Sequence, residues 1–504
     1  MDMYKVYETT QTDIVCNDYT VLINGKEVSL NTARVSAMPF NRRWPGHQRS
    51  VDQTELVNFL SLQTDEELEF EIIPKETFDT VEIRPVSLGI TPVITDDGHI
   101  KFTLKKAAYF TVEPYGLHKA LHIFADPVKE YDIDINDDNV IYYGKGEHDV
   151  GKIVLKSGQT LFIDEGAVVY ACVFAVDAEN IRICGRGILD NSRNREHILY
   201  EAYEENTISA VPNAHREHTM RIEYCTGVEI EGITIRDSLV YNIRPLASKN
   251  IHISNVKIIG CWRYNSDGID MHNCEDVLIE NCFLRTYDDS ICVKGFDCFY
   301  EDDVDKAVFE AMHRNGKSYE NFKNVLVRDC VIWNDWGKCL EIGAETRAEK
   351  ICNIRFTDCD IIHVSGTPLD VMNVDYADVY DVVFENMNVE YDDVIMKMRI
   401  QNFDGEEYDN SETEYSPNLI SVVVEFHHEY SAGGNRRGIN RDITFRNINL
   451  YGRHMPKLRF RGYSEDNQTK NIVIENLFWN GEKITTLPDT HFNKGEFTEN
   501  IVIE

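Results

Sequence analysis

The sequence predicts an all-β protein: a right-handed parallel β-helix preceded by an N-terminal β-sandwich. Three observations predict it. A short apolar pattern recurs from residue 178 to the end of the 504-residue chain, each copy alternates apolar and polar residues, and most copies carry Asn or Asp at one fixed place. The sandwich is expected over residues 1–150 and the β-helix over 151–504.

The recurring pattern reads AENIRICGRGIL, TGVEIEGITI, SKNIHISNVKI, CEDVLIENCFL, FKNVLVRDCVI, ICNIRFTDCDI, VYDVVFENMNV, NRDITFRNINL, TKNIVIENLFW and TENIVIE. Its first apolar residues are Ile181, Val228, Ile251, Val277, Val325, Ile354, Val382, Ile443, Ile472 and Ile501. They are spaced about one short coil apart or about twice that, as in a repeat architecture. Period-2 alternation is the mark of a strand with one buried face, and the units leave no room for helices between them. One coil cannot bury its own apolar face. Stacked coils bury one another's, which makes a parallel β-helix.

Four residues after the first apolar position stand Asn255, Asn281, Asp329, Asp358, Asn386, Asn447 and Asn476. These side chains tolerate left-handed backbone at a tight bend, so the same bend is expected in successive coils. Cys282, Cys330 and Cys359 follow one position later, small and apolar enough to stack inside a narrow core. Before the repeat, YTVLINGKEV, ELEFEIIP, TVEIRPVSL, HIKFTLKKAAYFTVEPYG and KALHIFADP alternate at period 2 between turn residues, the pattern of a sandwich. AMPFNRRWPGHQRSVDQTE reads as a polar loop within it. VDKAVFEAMH, inside the 296–322 insertion, has helical spacing, and QNFDGEEYDNSETEYSPN reads as a further acidic loop.

Acidic residues number 86 against 51 basic ones, for a formal net charge of -35. That field repels phosphate backbones and anionic lipid, so neither nucleic acid nor membrane is expected as a partner. The N-terminus has no basic and apolar regions of an export signal, and no apolar run is long enough to span a bilayer. Thirteen cysteines, an odd number without paired spacing, fit free thiols in a reducing compartment. The cytoplasm is therefore the expected location, with secretion after loss of a signal peptide as the alternative. Nothing in the sequence specifies or forbids a homo-oligomer. His215 and His218 lack further ligands at a convincing spacing, so no metal and no cofactor are expected.

Stacking brings residues one coil apart to within about 4.8 Å, which gives meaning to NSDGIDMHNCEDVLIENCFLRTYDDSICVKG. Aligning DGIDM, DSICV, CLEIG and PLDVM puts Ile269, Ile291, Leu340 and Leu369 in one column and Asp270, Cys292, Glu341 and Asp370 in the next. Two positions before the first column stand Asp267, Asp289, Lys338 and Thr367, with Asp288 adjoining. Carboxylates held that close raise one another's pKa, so a protonated acid can sit beside an ionised one.

Asn-Ser-Asp-Gly at 265–268 followed by Asp288-Asp289 resembles glycoside hydrolase family 28, the polygalacturonases, whose pattern is Asn-Thr-Asp-Gly, then Asp-Asp, then Gly-His-Gly. It is also similar to family 49, the dextranases and isopullulanases, which place a β-sandwich before the β-helix. The resemblance implies a glycoside hydrolase with Asp288 as general acid and with Asp267 and Asp289 holding and deprotonating the attacking water, an inverting hydrolysis. Two departures bear on substrate. GKCLEIG at 337–343 puts Lys338 and Glu341 where the pectinases have His and Ser, and Pro368 and Asp370 stand in place of the Arg-x-Lys that pairs with a uronate carboxylate. A neutral oligosaccharide or polysaccharide, α-glucan-like rather than galacturonan, is the expected substrate. Trp336 is a candidate platform for a sugar face, and Asn265, Lys294 and Arg244 are candidate substrate contacts. A lyase acting on a uronate polymer and a non-catalytic carbohydrate-binding solenoid are the alternatives. A cytoplasmic enzyme would meet imported short glycosides rather than polymers.

Overall fold

A computed structural model describes residues 4–9, 14–37, 54–193, 218–263, 265–296, 304–391, 418–428, 430–431 and 436–504. Two smaller sheets at the N-terminal end face each other. One runs Tyr4–Val6, Thr54–Thr64, Leu121–Asp126, Ala108–Glu113 and Glu82–Arg84, with Asn31–Ser36 paired to the long second strand. The other runs Lys26–Val28, Tyr19–Ile23, Leu68–Pro74, Ile100–Leu104 and Val93–Ile94. Their alternating inward residues, among them Val21, Ile23, Leu60, Leu62, Phe70, Phe102, Phe110 and Ile123, form one buried cluster, as sandwich packing requires.

The rest of the chain is a single 30-stranded sheet wound into the β-helix. It already includes Val140–Tyr143 and Gly146–Val154. Through the middle of the helix each strand pairs in parallel with the third strand after it, so a coil contains three strands. The ten repeat positions form one unbroken column: Ile181 pairs with Val228, then Ile251, Val277, Val325, Ile354, Val382, Ile443, Ile472 and Ile501. All ten are buried. Burial of such side chains contributes roughly 1.5–3 kcal/mol each, and that term keeps the coils in register.

The bends follow from the Asn and Asp residues. Asn255, Asn281, Asp329, Asp358, Asn386, Asn447 and Asn476 all have φ between 52° and 56°. Their side chains also bond along the helix axis, Asn386 to Asp358 at 2.9 Å, Asn447 to Asn386 at 2.9 Å and Asn476 to Asn447 at 3.0 Å. Each amide donates one N–H up the ladder, which satisfies polar groups that the bend brings together. Cys282, Cys330 and Cys359 are stacked and buried, and every described cysteine is a free thiol.

Other strands of the β-helix pack on the sandwich. Trp333, Phe283, Ile362, Val331 and Tyr170 share a buried cluster with Phe59, Phe124, Val57 and Tyr109. Polar groups within that interface are paired: Lys257 and Arg186 lie 3.0 and 2.9 Å from Asp126, and His363 lies 3.0 Å from Glu113. The predicted helix is present as Val304–Met312. Its Val308 and Met312 pack with Leu246, Phe296 and Tyr319 at the edge of the site described below. Most of the Arg- and Trp-rich loop (38–53), His215 and nearly all of the acidic loop (392–417) lie outside the described residues.

Phe356, Phe384 and Phe445 stack through the core at 4.8 and 4.9 Å between ring centroids. Phe384→Ala, which empties the middle of that stack, is expected to cost about 3–5 kcal/mol, read as a lower denaturant midpoint. A loss below about 1 kcal/mol would mean that these rings do not carry core packing.

Candidate active site

The strands that build the site are Ile243–Leu246, Ile269–His272, Ile291–Lys294, Leu340–Ile342 and Leu369–Asn373. Their register has Ile269, Ile291, Leu340 and Leu369 in one column and Asp270, Cys292, Glu341 and Asp370 in the next. The apolar column points into the core with no exposure, so period-2 alternation sends the acidic column to the opposite face. The turns before these strands deliver Asp267, Asp288 and Asp289.

Asp267, Asp288 and Asp289 each offer a carboxylate oxygen within 4.8 Å of the others. Lys294, from the end of its strand, reaches into the group. Its Nζ lies 3.2 Å from Asp270, 3.3 Å from Asp289, 3.6 Å from Asp267 and 3.9 Å from Glu345. Lys338 lies 2.6 Å from Asp370 and also pairs with Glu341. The two ammonium groups thus face six carboxylates between them. Asp288 has no ion pair among these.

This arrangement separates the three aspartates electrostatically. Burial, then the neighbouring charge of Asp289, holds Asp288 well above the usual carboxylate range. Burial and the charges of Asp270 and Asp288 do the same to Asp267. For Asp289 burial acts in the same direction, but Lys294 and Lys338 together with the backbone N–H of Lys338 outweigh it, and its pKa falls below the usual value. That N–H donates to Asp289 Oδ1 at 2.9 Å. A protonated carboxyl therefore adjoins an ionised one in the same cleft.

Local packing fixes the Asp288-Asp289 turn. Asn334 Nδ2 donates to the carbonyl of Asp288 at 2.8 Å, Thr286 Oγ1 donates to the same oxygen at 2.7 Å, and the N–H of Asp289 donates to Asp288 Oδ1 at 3.1 Å. Gly337 packs directly on this turn: a Cβ there would lie 2.4 Å from the nitrogen of Asp289 and 2.6 Å from Asp288 Oδ1. Only glycine fits at that approach.

The remaining sequence candidates are placed differently. Trp336 is half-buried and stacks on Tyr287, with ring centroids 5.6 Å apart and planes at 15°. It also packs against the core. Asn265 holds a left-handed turn position, φ 56°, two residues before Asp267. Arg244 sits one strand before Asp270, since Ile243 pairs with Ile269, but its guanidinium lies 3.3 Å from Glu223 and its charge is turned away from the aspartates. Asp270 and Glu345 are also part of the cage although the motif did not single them out. Asp270 was legible as a member of the acidic column; Glu345 had no signal beyond following a site strand.

Two groups among the described residues have ligand-type atoms close enough to share a metal ion, Asp267 with Asp288 and Asp289, and Asp289 with Cys292 and Glu341. In the first, the ammonium of Lys294 already stands at a cation's place between Asp267 and Asp289.

The family described as Glycosyl hydrolases family 28 matches this chain over residues 152–404. A probable polygalacturonase of Vitis vinifera is 32% identical over 84 residues, 16% of this chain and 17% of that protein. A polygalacturonase of Gossypium barbadense is 32% identical over 122 residues, 23% of this chain and 27% of that protein. The matched stretches therefore span less than a third of either relative. Among solved structures, Dex49A from Penicillium minioluteum superposes with a TM-score of 0.62 at 13% identity, covering 99% of this chain and 96% of that one. A family 28 exopolygalacturonase of Yersinia enterocolitica superposes with a TM-score of 0.50 at 13% identity, over the same shares of both chains. These two likenesses extend across the sandwich as well as the β-helix, and they are likenesses of fold.

The raised pKa of Asp288 has a consequence for stability. In the unfolded chain an aspartate ionises near pH 3.9; in the folded chain Asp288 keeps its proton to higher pH. The native state thus binds more protons across that window, and stability falls as pH rises through it. Asp288→Asn, which keeps an oxygen to accept from the Asp289 N–H, is expected to melt at a higher temperature than the parent at pH 7. The gap should close below about pH 3.5, where both forms of the parent carry the proton. Equal midpoints at pH 7 would show that burial does not disfavour the charged carboxyl.

Proposed function

The chain belongs to glycosyl hydrolases family 28, and from that membership we propose that it hydrolyses an O-glycosidic bond in a neutral glycan, with Asp288 as general acid and Asp289 as general base. The observation that carries this reading is the pair of adjacent aspartates with opposite pKa shifts, one held protonated and the other ionised. A glycosidic oxygen needs a proton as its bond breaks, and the anomeric carbon needs an activated water. Asp288 supplies the first. Asp289 takes the proton of the water, and Asp267, within reach of both, helps to hold it.

The preference for a neutral sugar, α-glucan-like rather than galacturonan, rests on the two lysines. Recognition of a uronate relies on a cation for its carboxylate. Here Lys338 is clasped by Asp370 and Glu341, and Lys294 is surrounded by Asp270, Asp289, Asp267 and Glu345. An added carboxylate would compete with six acids for two ammonium groups and meet repulsion. In a reducing compartment the substrate would be an imported oligosaccharide.

Inversion is the stereochemical reading, with water attacking opposite the departing oxygen. The separation of 4.8 Å or less between the carboxylate oxygens lies nearer the roughly 5 Å of a double displacement than the roughly 6.5–9.5 Å of typical inverting sites. The anomer formed first, followed by NMR, therefore decides between them. An inverted product supports a bound water as nucleophile; a retained product assigns that role to an aspartate.

Hydrolysis of a panel of neutral oligosaccharides, with oligogalacturonate beside it, tests the class of reaction. Asp288→Asn and Asp289→Asn are each expected to lower kcat by about 10²–10⁴-fold. Unchanged turnover in Asp288→Asn would remove it as the acid. Products that absorb in the ultraviolet would signal elimination by a lyase, and greater activity on galacturonate would overturn the neutral substrate.

A further inference from the structure

Beyond Leu369–Asn373 the stack of strands that carries the acids continues. Asp370 pairs with Ser421, and Ser421 with Arg459. Asn418–Val424 and Lys457–Arg461 are the third and fourth strands past Ile291–Lys294. At about 4.8 Å per rung, the turns that follow them lie roughly 14–19 Å along the helix axis from Asp289. Those turns carry Phe426 and Tyr463, two of the few large apolar side chains exposed to solvent, at 53% and 46%.

The guanidinium of Arg437 lies near both rings, 5.0 Å from the centroid of Phe426 and 5.8 Å from that of Tyr463. Arg437 is itself 8% exposed, and its Nε is a buried donor without a hydrogen-bond partner. A buried, unmet N–H between two exposed rings costs free energy that nothing within the fold returns.

Both turns are held rigidly. His427 N donates to Ser431 Oγ at 3.0 Å, and Ser431 Oγ donates to the carbonyl of Val374 at 2.7 Å. Asn467 Nδ2 donates to the carbonyls of Arg437 and Gly438 at 2.7 and 3.1 Å, and Tyr463 N donates to the carbonyl of Asn467 at 2.8 Å. The rings are therefore presented before any ligand arrives, which lowers the entropic cost of binding one.

We propose that Phe426, Tyr463 and Arg437 form a distal subsite for a pyranose ring of the same neutral glycan chain whose scissile bond lies at Asp288 and Asp289. This rests on the hydrolase reading above. Rings present apolar area to the C–H face of a sugar, and the guanidinium donates to its hydroxyls. A rung of the helix is about as long as one sugar of an extended chain, so the subsite lies three to four sugars from the broken bond. Chain length then sets affinity: a trisaccharide spanning the acids falls short of Phe426 and Tyr463, and a heptasaccharide reaches them.

The test compares neutral gluco-oligosaccharides of three and seven units on the parent and on the double variant Phe426→Ala, Tyr463→Ala. The expected result is a kcat/KM for the heptasaccharide lowered about three- to tenfold, mainly through KM, with the trisaccharide unchanged. Phe426→Trp is expected to restore much of the loss in a Tyr463 background. An unchanged heptasaccharide, or an equal fall for both lengths, overturns the subsite. If the parent cleaves neither sugar, the hydrolase reading fails on its own account. Calorimetric binding of the heptasaccharide to Asp288→Asn, with and without the two ring substitutions, then judges the subsite: loss of binding with the rings supports it, and equal binding overturns it. Tighter binding of oligogalacturonate through Arg437 would overturn the neutral class of ligand.

Discussion

Parallel stacking in register is the constraint from which the rest follows. A slip of one residue in any rung would exchange its inward and outward side chains. Ile269, Ile291, Leu340 and Leu369 have no exposure, and exposing them would forfeit several kcal/mol per rung. The neighbouring positions Asp270, Cys292, Glu341 and Asp370 are thereby committed to the other face. The acidic wall is in this sense dictated by the apolar core. Carboxylates crowded together would push their strands apart, and the pull of the core offsets that repulsion.

What makes the wall chemically useful is the shortage of cations. Two lysines cannot neutralise all the acids around them, so some carboxyls stay protonated, and position decides which. Asp289 keeps its charge because it meets Lys294 and accepts from the backbone of Lys338. Asp288, next to it in sequence, has the peptide N–H of Asp289 but no ammonium group. The lysines themselves are buried, which by itself would favour losing their protons; Asp270 and Glu345 around the one, and Asp370 and Glu341 around the other, reverse that and hold both well above their usual pKa. Acid, base and cation therefore define one another's states, and the site is a coupled unit in the sense that no member titrates alone.

Most of this was legible where a period carried the information. All ten repeat residues, the seven left-handed Asn and Asp positions and the two columns at the site follow from counting along the chain, because the fold converts sequence spacing into distance. The acids at 267, 288 and 289 were legible for the same reason. Residues whose role depends on contacts outside the period were not. Arg244 stood beside the acidic column but spends its charge on Glu223, a partner in the preceding strand that no motif marks. Gly337 reads as an ordinary turn glycine until the Asp288-Asp289 backbone is seen against it. Glu345 reaches Lys294 from a turn with no alternation. The salt bridges between sandwich and helix join residues more than a hundred positions apart, as Lys257 and Asp126 do, and aperiodic pairs of that separation leave no trace in a single sequence.

The sandwich domain bears on the site through one short chain of contacts. His122, from the sandwich, donates through Nδ1 to the carbonyl of Ala120, which leaves Nε2 to accept from Arg285 at 3.3 Å. Burial and the charge of Arg285 keep this imidazole neutral, so the pair is a hydrogen bond rather than a clash of cations. Arg285 also reaches Asp335 at 3.4 Å and lies 3.8 Å from the ring of Trp333, whose indole N–H donates to Asp335 at 2.8 Å. Asn334, between Trp333 and Asp335, is the residue that holds the carbonyl of Asp288. Three consecutive residues thus tie the interdomain packing to the turn that carries the acid. Without the sandwich, Arg285 and Trp333 would face water, and the segment that positions Asp288 would lose the surface against which it is ordered.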